Sequence, residues 1–152
     1  MKMEIPLPLH YWTNIRQALY DALEMITDDQ LNFIPAENLW SLGKVVLHIA
    51  GCENGWFRYI ITREVNDWPE DFTSEEYSTV SSVKGLLTQV HTRTQDYLSS
   101  ISQEEQKRII EAPWGNKFPV RFAIWHIIEH EIHHRGEIFL MLGLMGMEAP
   151  DV

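Results

Sequence analysis

From Val120 to Met147 no proline interrupts the chain and apolar residues recur at helical spacing, so this stretch is predicted to be one helix. Successive residues turn by about 100°. Ala123, Ile127, Ile138, Met141, Leu144 and Met145 then share one side with His130, within roughly 80° of it. That side also carries His126, His133, His134 and Glu137, which places polar groups in the middle of a stripe expected to be apolar. Burying such groups without partners costs roughly 2–7 kcal/mol each. Something must satisfy them, and a metal ion is the most economical candidate.

Three further helices are predicted. The first runs from Leu9 to Ile26 behind Pro6 and Pro8, and the polar stretch Thr27 to Asn38, with Pro35, ends it. Ser41 is placed to N-cap a second helix from Leu42 to Arg63. A third, Val80 to Ser100, aligns Val83, Leu86, Leu87, Val90, Tyr97 and Leu98 on one face. Glu111 to Pro119, with Pro113, Trp114 and Gly115, reads as a loop leading into the last helix. Strand-like alternation is scarce, so the expected fold is all-α, a four-helix bundle spanning residues 1–152 as one domain. The connection between helices two and three is about fifteen residues, longer than the 2–8 usual between antiparallel neighbours. A connection of that length can cross the end of the bundle and leave those two helices parallel.

The charge balance narrows the partners. A net charge of −10 and the lack of any basic run argue against nucleic acid and against an anionic membrane surface. Cys52 is the only cysteine, so no internal disulfide can form. The opening MKMEIPLPLH has no apolar signal core. The longest apolar tract, Ile138 to Met147, is about half of the ~20 residues a membrane helix needs. The expected setting is the cytoplasm, and the expected partner a small molecule.

Residues four apart on a helix are neighbours, so His126 with His130 and His130 with His134 are feasible ligand pairs. A stable site needs a third ligand from another helix. His48, near Val45, Ile49, Cys52 and Trp56 in helix two, is the best placed; His91 and His10 are weaker candidates. The bland alternative is that these histidines are hydrogen-bonded core residues, and Cys52 a small core hydrophobe. His130 to His134 also matches HExxH, in which Glu131 would serve as general base. The metzincin continuation is missing, since Glu137 and Leu140 stand where a glycine and a third histidine belong. A di-iron bundle would need two Glu-x-x-His pairs, and only Glu131-x-x-His134 is present.

At these residues the chain resembles the DinB-like (damage-inducible, YfiT-like) superfamily of bacterial four-helix-bundle metalloproteins. LWSLGKVVLHIAGCENGWF is similar to the family's second-helix motif; PWGNKFPVRFAIWH, IIEHEIHHRGEI and GLMGMEAPDV are similar to its C-terminal loop, helix and ending. The resemblance covers almost the entire chain. It implies metal ligands at His48, His130 and His134, an up-down-down-up bundle and a homodimer. It also implies relatives that use bacillithiol in S-transfer or mycothiol in isomerisation.

Three neutral imidazoles leave a divalent ion its full charge and open positions for water or substrate. Such an ion favours deprotonated water or a thiolate. The favoured expectation is transfer of a low-molecular-weight thiol, of bacillithiol type, onto an electrophilic small molecule. Glu131 or Glu137 would orient a ligand or take a proton, and Arg135 would pair an acidic substrate group or serve only in packing. Imidazole suits zinc, nickel, iron and manganese alike. A metal-dependent hydrolase and a non-catalytic metal-binding stress module are the alternatives. Trp12, Trp40, Trp56, Trp68, Trp114 and Trp125 could wall a pocket beside the metal, although most are expected in core or dimer-interface packing. Gly136 inside the last helix costs about 1 kcal/mol against alanine, which close approach of another helix would offset.

Overall fold

The computed structural model describes residues 9–152, so the prolines expected ahead of the first helix lie outside the described residues. Helix α1 (Leu9–Glu24) is followed by a 3-10 turn at Asp28–Asn32. Helix α2 (Leu42–Gly55) runs directly into a π-helical turn at Trp56–Ile61. Helix α3 (Val80–Ser99), short α4 (Gln103–Lys107), strands β1 (Ile109–Glu111) and β2 (Lys117–Pro119), and helix α5 (Val120–Leu144) complete the order. Ser41 caps α2, its side chain accepting from the Lys44 N–H at 3.2 Å.

Four helices, α1, α2, α3 and α5, form the bundle. Helix α2 packs on α3 and α5, and α1 packs on the same two. Tyr20 meets Thr88 and Glu24 meets Lys84, while Trp12 meets His91 further along, so α1 and α3 are antiparallel. Glu53 meets His91 and Phe57 meets Tyr97, so α2 and α3 are parallel. Trp56 meets His126 and His48 meets His134, so α2 and α5 are antiparallel. The topology is up-down-down-up, and the long connection crosses the bundle end. Trp68 of that connection lies so close to Gly55 that a Cβ there would overlap its ring.

The segment read as a plain loop contains structure. Strands β1 and β2 pair antiparallel, Ile110 opposite Phe118, and α4 precedes them. Three-residue strands are too short to show alternation.

The orientation of α5 also corrects the expected stripe. Its buried residues are Val120, Ala123, Ile124, Ile127, Ile128, Glu131, Ile138, Met141 and Leu142. Ala123, Ile127, Ile138 and Met141 of the expected stripe are thus buried, while the centre of the set lies roughly 80–90° round the helix from His130. His130 and His134 sit at the edge of the core face, and Leu144 is exposed. The core itself is in two parts. One gathers Leu19, Leu23, Val46, Leu87, Ile138 and Leu142; the other gathers Trp12, Phe57, Ile60, Val120, Ile124 and Ile128.

Between these parts lies a charged layer. Arg16 donates from Nε to Glu131 Oε1 at 2.7 Å, from Nη2 to Glu131 Oε2 at 2.8 Å and Glu53 Oε2 at 2.7 Å, and from Nη1 to the Leu87 carbonyl at 3.3 Å. Trp12 Nε1 donates to Glu131 Oε2 at 2.6 Å. His91 Nδ1 donates to Glu53 Oε1 at 2.8 Å, and Gln95 Nε2 donates to His91 Nε2 at 2.9 Å. All four bundle helices are tied by one guanidinium. Among the described residues no buried side-chain polar atom lacks a partner.

Candidate metal centre

Antiparallel packing of α2 on α5 brings His48 opposite His130 and His134. The Nε2 atoms of His48 and His130 are 3.0 Å apart. The ring centroids of His48 and His134 are 4.8 Å apart, and those of His130 and His134 are 4.4 Å apart. One nitrogen from each ring lies within 4.8 Å of the others. Ligand nitrogens around four-coordinate zinc, with bonds of 2.0–2.1 Å, stand about 3.3 Å apart. The donor set therefore fits a divalent ion with small side-chain adjustment.

The surroundings favour the neutral form of His48 and His130, the form that binds metal. Burial, then the neighbouring His134 and His48 rings, pushes His130 down to about 3. Burial and His134 also lower His48 below its ordinary value. Glu137 orients the third ring: His134 Nδ1 donates to Glu137 Oε2 at 3.0 Å, which leaves Nε2 to face the centre. The other oxygen of Glu137 lies 3.4 Å from His133 Nε2.

The remaining sequence candidates lie elsewhere. Glu131 is 1% exposed and both its oxygens are taken by Arg16 and Trp12, so it is turned from the cluster into the charged layer. One residue along a helix is about 100° of rotation, which separates Glu131 from its neighbour His130. The His126 ring lies tilted against Trp56 with centroids 4.6 Å apart, and His133 is exposed. His91 belongs to the charged layer, and His10 is exposed beside Tyr11. Arg135 donates to the Ile15 carbonyl at 3.5 Å and lies over Phe139, facing α1. Cys52 is buried, and burial, then Glu53, pushes its thiol up to about 12.

A cleft of about 420 Å³ opens beside His134 and Glu137. Pro35, Leu39, Trp40, Val45, Leu140 and Met141 supply its apolar walls, and Asn38 a further polar group. Trp40 links cleft and cluster, its ring lying edgewise 4.9 Å from that of His48. Of the tryptophans weighed as walls for a pocket beside the metal, Trp40 lines the cleft; the Arg16 layer was no part of the sequence expectation. The layer did leave a signal, since Arg16 interrupts the apolar row of Trp12, Leu19 and Leu23.

The family model described as DinB family matches residues 1–152. YizA of Bacillus subtilis is 32% identical over 95 residues, which are 61% of this chain and 57% of YizA, little over half its length. YjoA of the same organism is 27% identical over 133 residues, 86% of this chain and 84% of YjoA. The crystal structure of YjoA matches with a TM-score of 0.74 at 24% identity, over 93% of this chain and 94% of that one. Bacillus subtilis YfiT, described as a probable metal-dependent hydrolase with an unusual four-helix bundle topology, matches at 0.65 with 20% identity, over 97% and 95%. The mycothiol-dependent maleylpyruvate isomerase matches at 0.61 with 13% identity, over 87% and 61%. These structural likenesses are of fold. The colibactin self-resistance protein ClbS, in complex with dsDNA, shares it at 0.68 with 14% identity over 90% and 93%. The fold therefore does not itself exclude nucleic acid, and that expectation rests on the charge of −10.

Proposed function

The chain belongs to the DinB family, and from that premise we propose that it is a metal-dependent enzyme whose divalent ion is held by His48, His130 and His134. The observation that carries this reading is the convergence of three imidazoles from two helices beside an open cleft. A divalent ion there supplies Lewis acidity and favours the deprotonated form of a thiol or of water near neutral pH. Zinc, nickel, iron and manganese all accept imidazole. Glu137 holds the tautomer and orientation of His134 through its Nδ1–H. Glu131 has no part in the chemistry, because its oxygens are spent on Arg16 and Trp12.

The reaction is transfer of a low-molecular-weight thiol, of bacillithiol type, to an electrophilic small molecule. Cys52 is buried and its thiol is held protonated, so the sulfur nucleophile must come from a cosubstrate. A cytoplasmic setting supplies such thiols. Hydrolysis is the second reading, favoured by the cleft's opening to water beside His134. The protein is a homodimer through α5: Phe122, Trp125 and Ile132 are exposed on its outer face, and nothing within 4 Å would meet a Cβ at Gly136 there. The close approach expected at Gly136 is not made among the described residues, and a second copy packed on this face would supply it.

Protein loaded separately with zinc, nickel or manganese is assayed with 1-chloro-2,4-dinitrobenzene and bacillithiol, and with p-nitrophenyl acetate without thiol. Thiol-dependent turnover that disappears in His130→Ala is the expected result. Ester turnover without thiol favours the hydrolase, and loaded protein inert to both is a binding module.

A further inference from the structure

We infer that the cleft beside the histidine cluster receives the uncharged, apolar part of a small-molecule substrate, with Leu39, Trp40 and Leu140 as its specificity-determining residues. The inference rests on the proposed metal centre for what the bound molecule is a substrate of, and on the cleft alone for its chemistry.

The cleft is built. The Leu42 N–H donates to the Phe33 carbonyl at 2.9 Å and closes the base of the loop between them. Within it the Leu39 N–H donates to the Ala36 carbonyl at 3.2 Å. Asn38, at the third position of that turn, has φ of 66°, the left-handed conformation that asparagine tolerates better than most residues. This turn holds Leu39 and Trp40 outward at 56% and 40% exposure, opposite Leu140 at 65%. Large apolar side chains held in water on both rims of a concavity gain stability when an apolar molecule covers them.

The charge of the lining selects among molecules. None of the described residues lining the cleft is a lysine or an arginine, and Glu137 contributes a carboxylate. The Lys44 ammonium lies over the Trp40 ring, 4.8 Å from its centroid, and is not among the residues lining the cleft. In the metal-free protein an anionic group in the cleft would lose water and meet no lysine or arginine among the described lining residues. A volume of about 420 Å³ suits a molecule of one or two rings. Contact of Trp40 with His48 joins the far wall to the cluster, so a molecule lying on the indole ends at the imidazoles.

The test titrates metal-free protein, in solution NMR, with 1-naphthalenemethanol and its anionic counterpart 1-naphthoate. The inference requires the alcohol to shift the Trp40 indole N–H and the Leu39 and Leu140 methyl signals, with naphthoate at least tenfold weaker. Trp40→Ala and Leu140→Ser should each weaken the alcohol at least fivefold while leaving the rest of the spectrum folded. Equal binding of alcohol and anion, shifts that map elsewhere, or no binding overturns it. Because no metal is added, such a failure is separate from failure of the metal centre, which shows as absence of metal uptake.

Discussion

Replacing Arg16 with methionine removes the one cation that joins four helices while keeping most of its length and its apolar stem. Glu53 and Glu131, each 1% exposed, then face one another's layer without a counter-charge. Breaking a buried pair by removing one partner costs about 3–5 kcal/mol. For a chain of this size each kcal/mol moves Tm by about 2–4 °C, so the variant should melt roughly 6–20 °C below the parent. The pH dependence is the sharper signature. Burial, the largest influence, would raise the Glu53 carboxyl, but the Arg16 charge together with the His91 and Thr94 hydrogen bonds outweighs it and holds it at about 2 against an ordinary 4.5. A depressed carboxylate stabilises the fold above its unfolded pKa, and that contribution disappears as pH falls from about 4.5 to 2. Its size is on the order of 3 kcal/mol. In Arg16→Met the largest opposing influence is gone and only His91 and Thr94 offset burial, so the Glu53 carboxyl rises from its parent value and acid relieves the penalty. Urea unfolding of both proteins from pH 7 to pH 4 should show a gap that narrows as pH falls. A loss below about 1 kcal/mol, or a gap independent of pH, would refute the buried charged layer.

Three more expectations can be checked quickly. Glu137→Gln, which loses the carboxylate that orients His134, should weaken divalent metal binding by about 10–100-fold in calorimetry while leaving Tm of the metal-free protein nearly unchanged. Cys52, buried with its thiol pushed up to about 12, should react with a disulfide reagent at pH 8 only after unfolding; fast stoichiometric reaction of the native protein would contradict its placement. Sedimentation should give a dimer that Trp125→Glu converts to a folded monomer, and a monomeric parent would remove the α5 interface.

What the sequence revealed and what it hid follow from geometry. The helical period of α5 and the Ser41 cap are local properties, and both stand in the structure. Four histidines within one helix exceeded the needs of packing, which drew attention to the correct elements. Taking His130 as the centre of the apolar side, however, displaced that side by about 90°. With the true centre near Glu131, the carboxylate read as a base becomes a partner of Arg16, and His126 and His133 fall outside the cluster. Arg16 and Glu53 were visible as charges inside apolar rows, yet their pairing is a property of which helices are neighbours. The hairpin and the π-helical turn at Trp56–Ile61 have no pattern long enough to read. The cleft arises from the Phe33–Leu42 loop folding against α5, which no periodicity describes.

The most direct test of the metal centre is elemental mass spectrometry of untagged protein, as purified and after exposure to zinc, nickel and manganese, beside His48→Ala and His130→Ala. The account requires close to one divalent ion per chain in the parent and its loss in both variants, with folding unchanged by circular dichroism. A parent that takes up none of the metals, or variants that keep a full complement, would return His48, His130 and His134 to hydrogen-bonded packing residues.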